Sequence, residues 1–304
     1  MSARVRRHGM ALIAAAALLG IALPDLAAAT RPLMLPVSMI AMGLALLRVE
    51  PAALIGVLRR PRLALLLLAW VTLAVPLLVF AALSPLLEAG SAFLVAAVLI
   101  AATPSVLSAA VFAILLGADA ALLTVVAIPS NALAPLWLPS VAALMGVSAQ
   151  FDPFAMALRL ALIVGGAFAM AGIALRLFGR PAIRAAAPPL DTAIVLAVAA
   201  SAVPAMDGVG LALAASPLVF LAMLGFALVL NLALQAVGVL VFVAAPRRAA
   251  LSAALVSGTR NMVLLLAALP DAGGSGIGLI VAAAQLSLYV MPMLVAPAYR
   301  RLNR

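Results

Sequence analysis

The segment that decides the fold is residues 249–269, AALSAALVSGTRNMVLLLAAL, an apolar run that contains a single charged residue. About 20 apolar residues suffice for a helix to cross the hydrocarbon core of a bilayer. The charged residue, Arg260, lies 12 positions after Arg248 and 11 before Asp271. At ~1.5 Å per residue it is roughly 16–18 Å from either end, near the middle of a ~30 Å core. A guanidinium there costs at least about 2.5–3.5 kcal/mol, so the fold must compensate for it.

The composition of the whole chain has the same membrane-like character. Of 304 residues, 68% are hydrophobic and 9% are charged, and the mean hydropathy is +1.36. Soluble domains are about 45–50% apolar and ~25% charged, so a water-soluble fold is excluded. All 18 basic residues are arginines scattered between apolar runs, and the net charge of +10 therefore does not indicate nucleic-acid binding. The lack of cysteine and the single histidine, His8, exclude a disulfide framework and a histidine metal cluster.

Charges, prolines and glycines divide the apolar runs into ten predicted spans. These lie near 10–29, 32–47, 63–84, 92–116, 120–146, 155–178, 189–205, 213–245, 249–269 and 275–298. Cytoplasmic loops of membrane proteins carry an excess of Lys and Arg. With the N-terminus inside, 15 of the 18 arginines fall in cytoplasmic segments. We therefore expect an integral protein of a bacterial inner membrane with both termini in the cytoplasm.

The first span has a second interpretation. Its basic start, its apolar core and the small residues near 27–30 resemble a secretory signal peptide, whose cleavage would leave nine spans.

Three segments occur in an order and at a spacing that point to a known family. They are residues 34–62 (MLPVSMIAMGLALLRVEPAALIGVLRRPR), residues 101–146 (AATPSVLSAAVFAILLGADAALLTVVAIPSNALAPLWLPSVAALMG) and residues 254–270 (ALVSGTRNMVLLLAALP). The middle segment has prolines four positions apart, Pro135 and Pro139, and the last has Gly258 and Asn261 at matching positions. In these features the chain resembles the bile acid:sodium symporter family over nearly its whole length.

The resemblance implies an all-α polytopic membrane protein of about ten transmembrane helices, built as two inverted five-helix repeats. It implies a panel domain, about residues 8–60 and 150–206, and a core domain, about residues 61–149 and 207–299. Spans four and nine would be broken helices that cross near the membrane middle and form the site. The sequence supplies helix breakers in these spans, Pro104 and Gly258. An ordinary proline kink is the alternative, since both residue types are frequent in membrane helices.

Most side-chain ligands of the family's sodium ions are absent from this chain. The corresponding positions, carried over one by one, are Val71, Ser108, Ala109, Leu123, Ala127, Val256 and Arg260. Of these, only Ser108 retains a side-chain oxygen, the type of ligand that a dry sodium site needs. Sodium remains possible from the resemblance alone, but we expect no metal, no cofactor and no standard sodium coupling.

Arg260 then becomes the central candidate for substrate binding. Its fixed positive charge would stand in the place of a sodium ion and pair with the carboxylate of an anionic substrate. The alternative is a structural arginine bonded to carbonyl groups that the broken helices expose, or to Asp119 or Asp191.

Other polar residues near the predicted breaks complete the candidate substrate-binding set: Ser108, Ser130, Asn131, Thr259 and Asn261. Asparagine can both donate and accept hydrogen bonds. The alternative for each residue is hydrogen bonding between helices. Gln235 is interpreted as a packing contact.

Together with the resemblance, the sequence predicts a secondary transporter of a small organic anion, bile-acid-like or a carboxylate-bearing metabolite, that works by alternating access. Its partners would be that anion and the lipid bilayer, with no nucleic acid and no obligate protein partner. A membrane enzyme is disfavoured because the one histidine is terminal and no acid lies deep in a span, so we expect no catalytic residues. The remaining alternative is a transport-inactive membrane scaffold or sensor.

Overall fold

The structure, a computed structural model, describes residues 3–50, 55, 61–107, 109, 113, 116–148, 151–269 and 274–302. Its α-helices are α1 (Ala3–Ala22), α2 (Pro24–Thr30), α3 (Met34–Leu47), α4 (Pro61–Ala69), α5 (Val75–Leu83), α6 (Ala92–Ala102), α7 (Ala120–Leu144), α8 (Pro153–Ala185), α9 (Ala187–Ala202), α10 (Val209–Ala215), α11 (Pro217–Val241), α12 (Arg247–Gly258), α13 (Met262–Ala268) and α14 (Gly276–Leu302). A π-helical turn, Trp70–Ala74, joins α4 to α5. Pairing between strands is confined, within the described residues, to a bridge between Ser105 and Arg260.

Six helical segments are long and apolar enough to cross a membrane. They are Pro24–Leu47, Pro61–Leu83, Ala120–Leu144, Pro153–Ala185, Ala187–Met206 and Pro217–Val241. Shorter apolar helices accompany them at Ala11–Ala22, Ala92–Ala102 and Gly276–Leu288. The all-helical, membrane-type architecture that the composition predicts is confirmed. The ten-span count and the two inverted repeats stay predictions.

Two predicted spans have boundaries that the structure places elsewhere. The first predicted span, 10–29, is interrupted at Leu23, and the chain from Pro24 continues as helix to Leu47. The predicted span 213–245 is interrupted at Ser216. In both places the interrupted residue precedes a proline, whose ring disfavours helical backbone in the residue before it.

Helices α3, α8 and α9 pack together and are tied at one end by arginines. Helix α8 is kinked at Gly179, whose φ of 74° is strained for residues with a side chain. Beyond the kink, Arg184 forms an ion pair with Glu50 at 2.7 Å, and its hydrogen bond holds the pKa of the Glu50 carboxyl below its usual value. Arg48 pairs with Asp191 of α9 at 2.8 Å.

A second group of helices packs around two interruptions of the helical chain, after Ala102 and after Gly258. Helix α11 packs against α12 and α14, and α6 packs against α5 and α14. Helices α6 and α12 both end inside this group, in segments whose residues are buried or half-buried. These two helix ends position the candidate site.

Candidate functional site

The site begins with two helices that stop where most of their neighbours are apolar. Helix α6 ends at Ala102, and Thr103 adopts an extended conformation with ψ of 139°. Pro104 follows, and its ring favours this extended backbone in the preceding residue. Helix α12 ends at Gly258, and Thr259 leaves the helical region with ψ of 75°. Both interruptions coincide with the breakers named from the sequence.

The two unwound segments lie side by side and exchange backbone hydrogen bonds. Val106 N donates to Thr259 O at 3.1 Å, and Asn261 N donates to Pro104 O at 2.9 Å. These bonds flank the antiparallel bridge between Ser105 and Arg260. Unpaired backbone groups are costly in the bilayer core, so mutual pairing makes the two interruptions tolerable. We call the paired residues 103–106 and 259–261 the crossing.

Threonine side chains finish the two helices at the crossing in the same way. Thr103 Oγ1 donates to Leu99 O at 2.6 Å, and Thr259 Oγ1 donates to Leu255 O at 2.6 Å. Each hydroxyl therefore adds a second hydrogen bond to a carbonyl in the last helical turn that already accepts one from the backbone N–H of the same threonine.

The Arg260 side chain is completely buried and binds three backbone carbonyl groups. Its Nε donates to Ser257 O at 2.8 Å, and its Nη1 donates to Thr103 O at 3.1 Å and to Val71 O at 3.3 Å. Val71 lies in the π-helical turn, the kind of local distortion that is frequent at functional sites. The Nη2 atom of Arg260 is buried without a hydrogen-bond partner in the described part of the chain.

The charge of Arg260 is offset by helix ends and by no carboxylate. Thr103 and Ser257 lie at the carboxyl ends of α6 and α12, where helix dipoles place partial negative charge. Among the described residues, no acidic side chain lies within ion-pairing distance of this guanidinium. The ion pairs of these residues join Asp191 to Arg48 and Glu50 to Arg184. The crossing therefore carries a positive charge that is only partly neutralised.

Burial differs among the residues of the crossing. Thr103, Ser105 and Arg260 are buried, whereas Val106 and Asn261 are half-buried. The Asn261 side chain accepts a hydrogen bond from Leu264 N and thereby caps α13. Val106 and Asn261 are thus the partly accessible residues of the crossing, whereas Arg260 is fully enclosed.

The other predicted site residues differ in whether they contact the crossing. Asn131 of α7 is buried, and its Nδ2 donates to Ser105 O at 2.8 Å, whereas its Oδ1 has no partner among the described residues. Ser130 Oγ donates to Ala127 O of its own helix at 2.9 Å and forms no hydrogen bond with the crossing in the described part of the chain. Ser108 lies outside the described residues.

Sequence reasoning missed three side chains that hold the interruption at the end of α12, at Gly258, which we call the second break. Asn231 Nδ2 donates to Gly258 O at 2.9 Å, and Asn231 in turn accepts from Gln235, which was interpreted as a packing contact. Trp70 Nε1 donates to Ser257 Oγ at 2.8 Å. A signal for the amide pair did exist, since Asn231 and Gln235 are one turn apart in a helix that is otherwise apolar.

The positions that the resemblance assigns to sodium ligands have apolar side chains at four of the places that the structure describes. The side chains of Val71, Leu123, Ala127 and Val256 are buried and apolar. Within the described residues, no group of three or more His, Cys, Asp or Glu side chains is arranged to hold a metal ion.

A cavity of about 200 Å³ lies away from this chemistry, among α10, α11 and α14. Its lining is mainly apolar and includes Phe220, Met223 and Leu279. None of its lining residues belongs to the crossing, so it adds nothing to the candidate site.

In comparisons with known proteins, no protein family matches the chain, and no curated protein matches it significantly.

Proposed function

We propose that this protein is a secondary transporter of a small organic anion that bears a carboxylate. The observation that carries the proposal is the guanidinium of Arg260, fully buried and without a carboxylate partner among the described residues, at the crossing of two interrupted helices. Interrupted helices of this kind are a recurrent way of building binding sites in transporters. The resemblance to the bile acid:sodium symporter family supports the same function and the same alternating-access mechanism.

Electrostatics favour an anion as the substrate. A single positive charge in a low-dielectric interior attracts an anion far more strongly than it would in water. Nη2 of Arg260 still has a hydrogen-bond donor to offer. Asn261, half-buried and adjacent to Arg260 in the chain, supplies an amide near that charge. An anion entering beside Asn261 would approach the guanidinium, and a carboxylate fits its donor geometry.

The transport cycle in this proposal does not use the family's sodium coupling. The guanidinium is a permanent cation that belongs to the protein, and it stands where a relative would bind a dissolved ion. The side chains at the other sodium-ligand positions that the structure describes are apolar. Exchange of anions or facilitated transport would then drive the cycle. We propose that the protein lies in a bacterial inner membrane, and its arginine distribution supports a topology with both termini in the cytoplasm.

The test uses the purified full-length chain and three variants. Arg260→Gln removes the charge, Arg260→Lys keeps the charge but loses the planar donor geometry, and Arg184→Gln removes a surface arginine as a control. Thermal-shift measurements with cholate, 2-oxoglutarate and acetate, followed by uptake into liposomes with and without a sodium gradient, give the readout. We expect at least one anion to stabilise the native chain and Arg184→Gln, and both proteins to take that anion up into liposomes. Both effects should be lost in Arg260→Gln and partly lost in Arg260→Lys.

Uptake by Arg260→Gln equal to that of the native chain would refute the proposed role of the charge. Strict dependence of uptake on a sodium gradient would refute the uncoupled cycle.

A transport-inactive scaffold or sensor is the second candidate function. The observation that favours it is that Nε and Nη1 of Arg260 are already bound to backbone carbonyl groups, which is the arrangement of a structural arginine. In that case no anion would raise the thermal midpoint of the native chain, and the native chain would transport no anion into liposomes. Arg260→Gln would lower the thermal midpoint in the absence of any ligand. We propose no enzymatic activity for either candidate.

A further inference from the structure

A continuous chain of side-chain hydrogen bonds links the C-terminal part of α14 to the second break. Tyr299 Oη donates to Gln235 Oε1 at 2.9 Å, and Gln235 Nε2 donates to Asn231 Oδ1 at 2.7 Å. Asn231 Nδ2 then donates to Gly258 O at 2.9 Å. All three side chains are buried, with 4%, 4% and 7% of the surface of Tyr299, Gln235 and Asn231 exposed.

The direction of every bond in this chain follows from its last member. A backbone carbonyl can only accept, so Asn231 must present its NH₂ group to Gly258. The oxygen of Asn231 then faces Gln235 and requires a donor, which fixes the NH₂ group of Gln235 on that side. The remaining oxygen of Gln235 receives the hydroxyl of Tyr299. Bonds that run in one direction polarise and strengthen each other.

The side chains of Asn231 and Gln235 pack closely against Gly258. A methyl group on Gly258 would lie 2.7 Å from Asn231 Oδ1, 2.7 Å from Gln235 Cγ and 3.0 Å from Gln235 Nε2. An added methyl group would therefore displace at least one of the two amides.

The carbonyl that receives this chain also belongs to the turn that aims Arg260. Gly258 O accepts a second hydrogen bond, from Arg260 N at 3.1 Å. The neighbouring carbonyl, Ser257 O, accepts from Arg260 Nε at 2.8 Å. A fixed orientation of the Gly258 peptide therefore fixes the start of the turn and the direction of the guanidinium.

We propose that Tyr299, Gln235 and Asn231 are positioning residues that hold the second helix break and thereby orient Arg260 at the crossing. Through them, a displacement of the end of α14 is transmitted to the site. The use of this device in a transport cycle rests on the function proposed above, whereas the positioning itself does not.

The absence of cysteine from the native chain allows a direct test. A single reporter, Val106→Cys, is placed at the crossing, where the backbone of Val106 is bonded to Thr259 O. A second reporter, Val125→Cys, occupies a half-buried valine of α7 outside the crossing. The rate of labelling by a water-soluble maleimide is measured for each reporter in lipid nanodiscs, without any substrate.

Tyr299→Phe removes one hydrogen bond from the chain and should raise the labelling rate of Val106→Cys about fivefold, the effect of one neutral hydrogen bond. The rate of Val125→Cys should change by less than about twofold, because a local loss of positioning does not loosen α7. Gln235→Leu should raise the Val106→Cys rate further, and adding Tyr299→Phe to it should have no additional effect, since the chain is already cut.

The matched control is Ser287→Ala, which removes another buried hydroxyl from α14. Within the described residues, Ser287 Oγ donates to Ala284 O of its own helix at 2.8 Å and to no other group. Equal effects of Tyr299→Phe and Ser287→Ala on Val106→Cys would overturn the proposal. So would an equal rise at Val125→Cys, or additive effects of Tyr299→Phe and Gln235→Leu.

This experiment is independent of the transport assay. Absence of anion uptake together with the expected labelling pattern would remove the proposed function and leave the positioning chain intact. Normal, Arg260-dependent uptake without the labelling pattern would do the reverse.

Discussion

A single methyl group at Gly258 should destabilise the protein measurably. Gly258 is the last residue of α12, and its φ angle is not positive. Alanine can therefore adopt this backbone conformation without strain. The added Cβ would instead lie 2.7 Å from both Asn231 Oδ1 and Gln235 Cγ. Contacts this short force the two amides away from Gly258.

The magnitude follows from the bonds that are broken. Displacement of Asn231 removes its hydrogen bonds to Gly258 O and to Gln235 Nε2, at about 1 kcal/mol each. A buried amide left without partners costs a further ~1–3 kcal/mol. The gain in helix propensity from Gly to Ala is at most about 1 kcal/mol and offsets part of this loss. We therefore expect Gly258→Ala to lower the free energy of unfolding by about 2–4 kcal/mol.

The assay is thermal unfolding in detergent, followed by tryptophan fluorescence. Trp70 is well placed to report, because its Nε1 is bonded to Ser257 Oγ next to the break. The matched control is Gly225→Ala on α11, where an added methyl group has no neighbour within 4 Å. This control should be neutral or stabilise the helix slightly. A midpoint for Gly258→Ala equal to or above that of Gly225→Ala would refute the reasoning.

Two further predictions concern the ion pairs at the arginine-rich end of α3, α8 and α9. Asp191→Asn should lower the unfolding free energy by about 1.5–3 kcal/mol, because Arg48 loses a charged partner whose side chain is only 9% exposed. Glu50→Gln should have a much smaller effect, because the Glu50 and Arg184 side chains are 45% and 58% exposed. Denaturation of both variants side by side checks this, and equal losses of unfolding free energy would contradict it. The pKa of Glu50 is lowered in the fold by its hydrogen bond to Arg184, so the stabilisation by this pair is complete above the unfolded pKa of about 4.3 and is lost as the pH falls through the lower folded value. Thermal midpoints between about pH 6 and about pH 3 should therefore fall more steeply for the native chain than for Glu50→Gln, and parallel curves would show that the pair is not formed.

The class of protein and the depth of its unusual residues could be predicted from the sequence. A hydrophobic content of 68% allows only a membrane environment, and the distance of Arg260 from the charges on either side places it deep in its segment. Local chemistry also marked the interruptions, because proline and glycine act on the backbone of their immediate neighbours. The boundaries near Leu23 and Ser216 follow from the same rule, although the span assignment from charge and composition did not apply it there.

The partners of Arg260 were decided only by the tertiary structure. Val71 and Thr103, whose carbonyls it binds, are 189 and 157 positions away in the chain, and Tyr299 is 64 positions from Gln235. In a membrane protein the lipid-facing and the buried sides of a helix are both apolar, so the sequence pattern does not reveal which side faces which neighbour. The sequence by itself thus determined that a charge and two helix breaks had to be accommodated within the membrane. Packing alone decided that backbone carbonyls at two helix ends and a π-helical turn receive that charge, because these groups are present in every residue and only the fold brings three of them together.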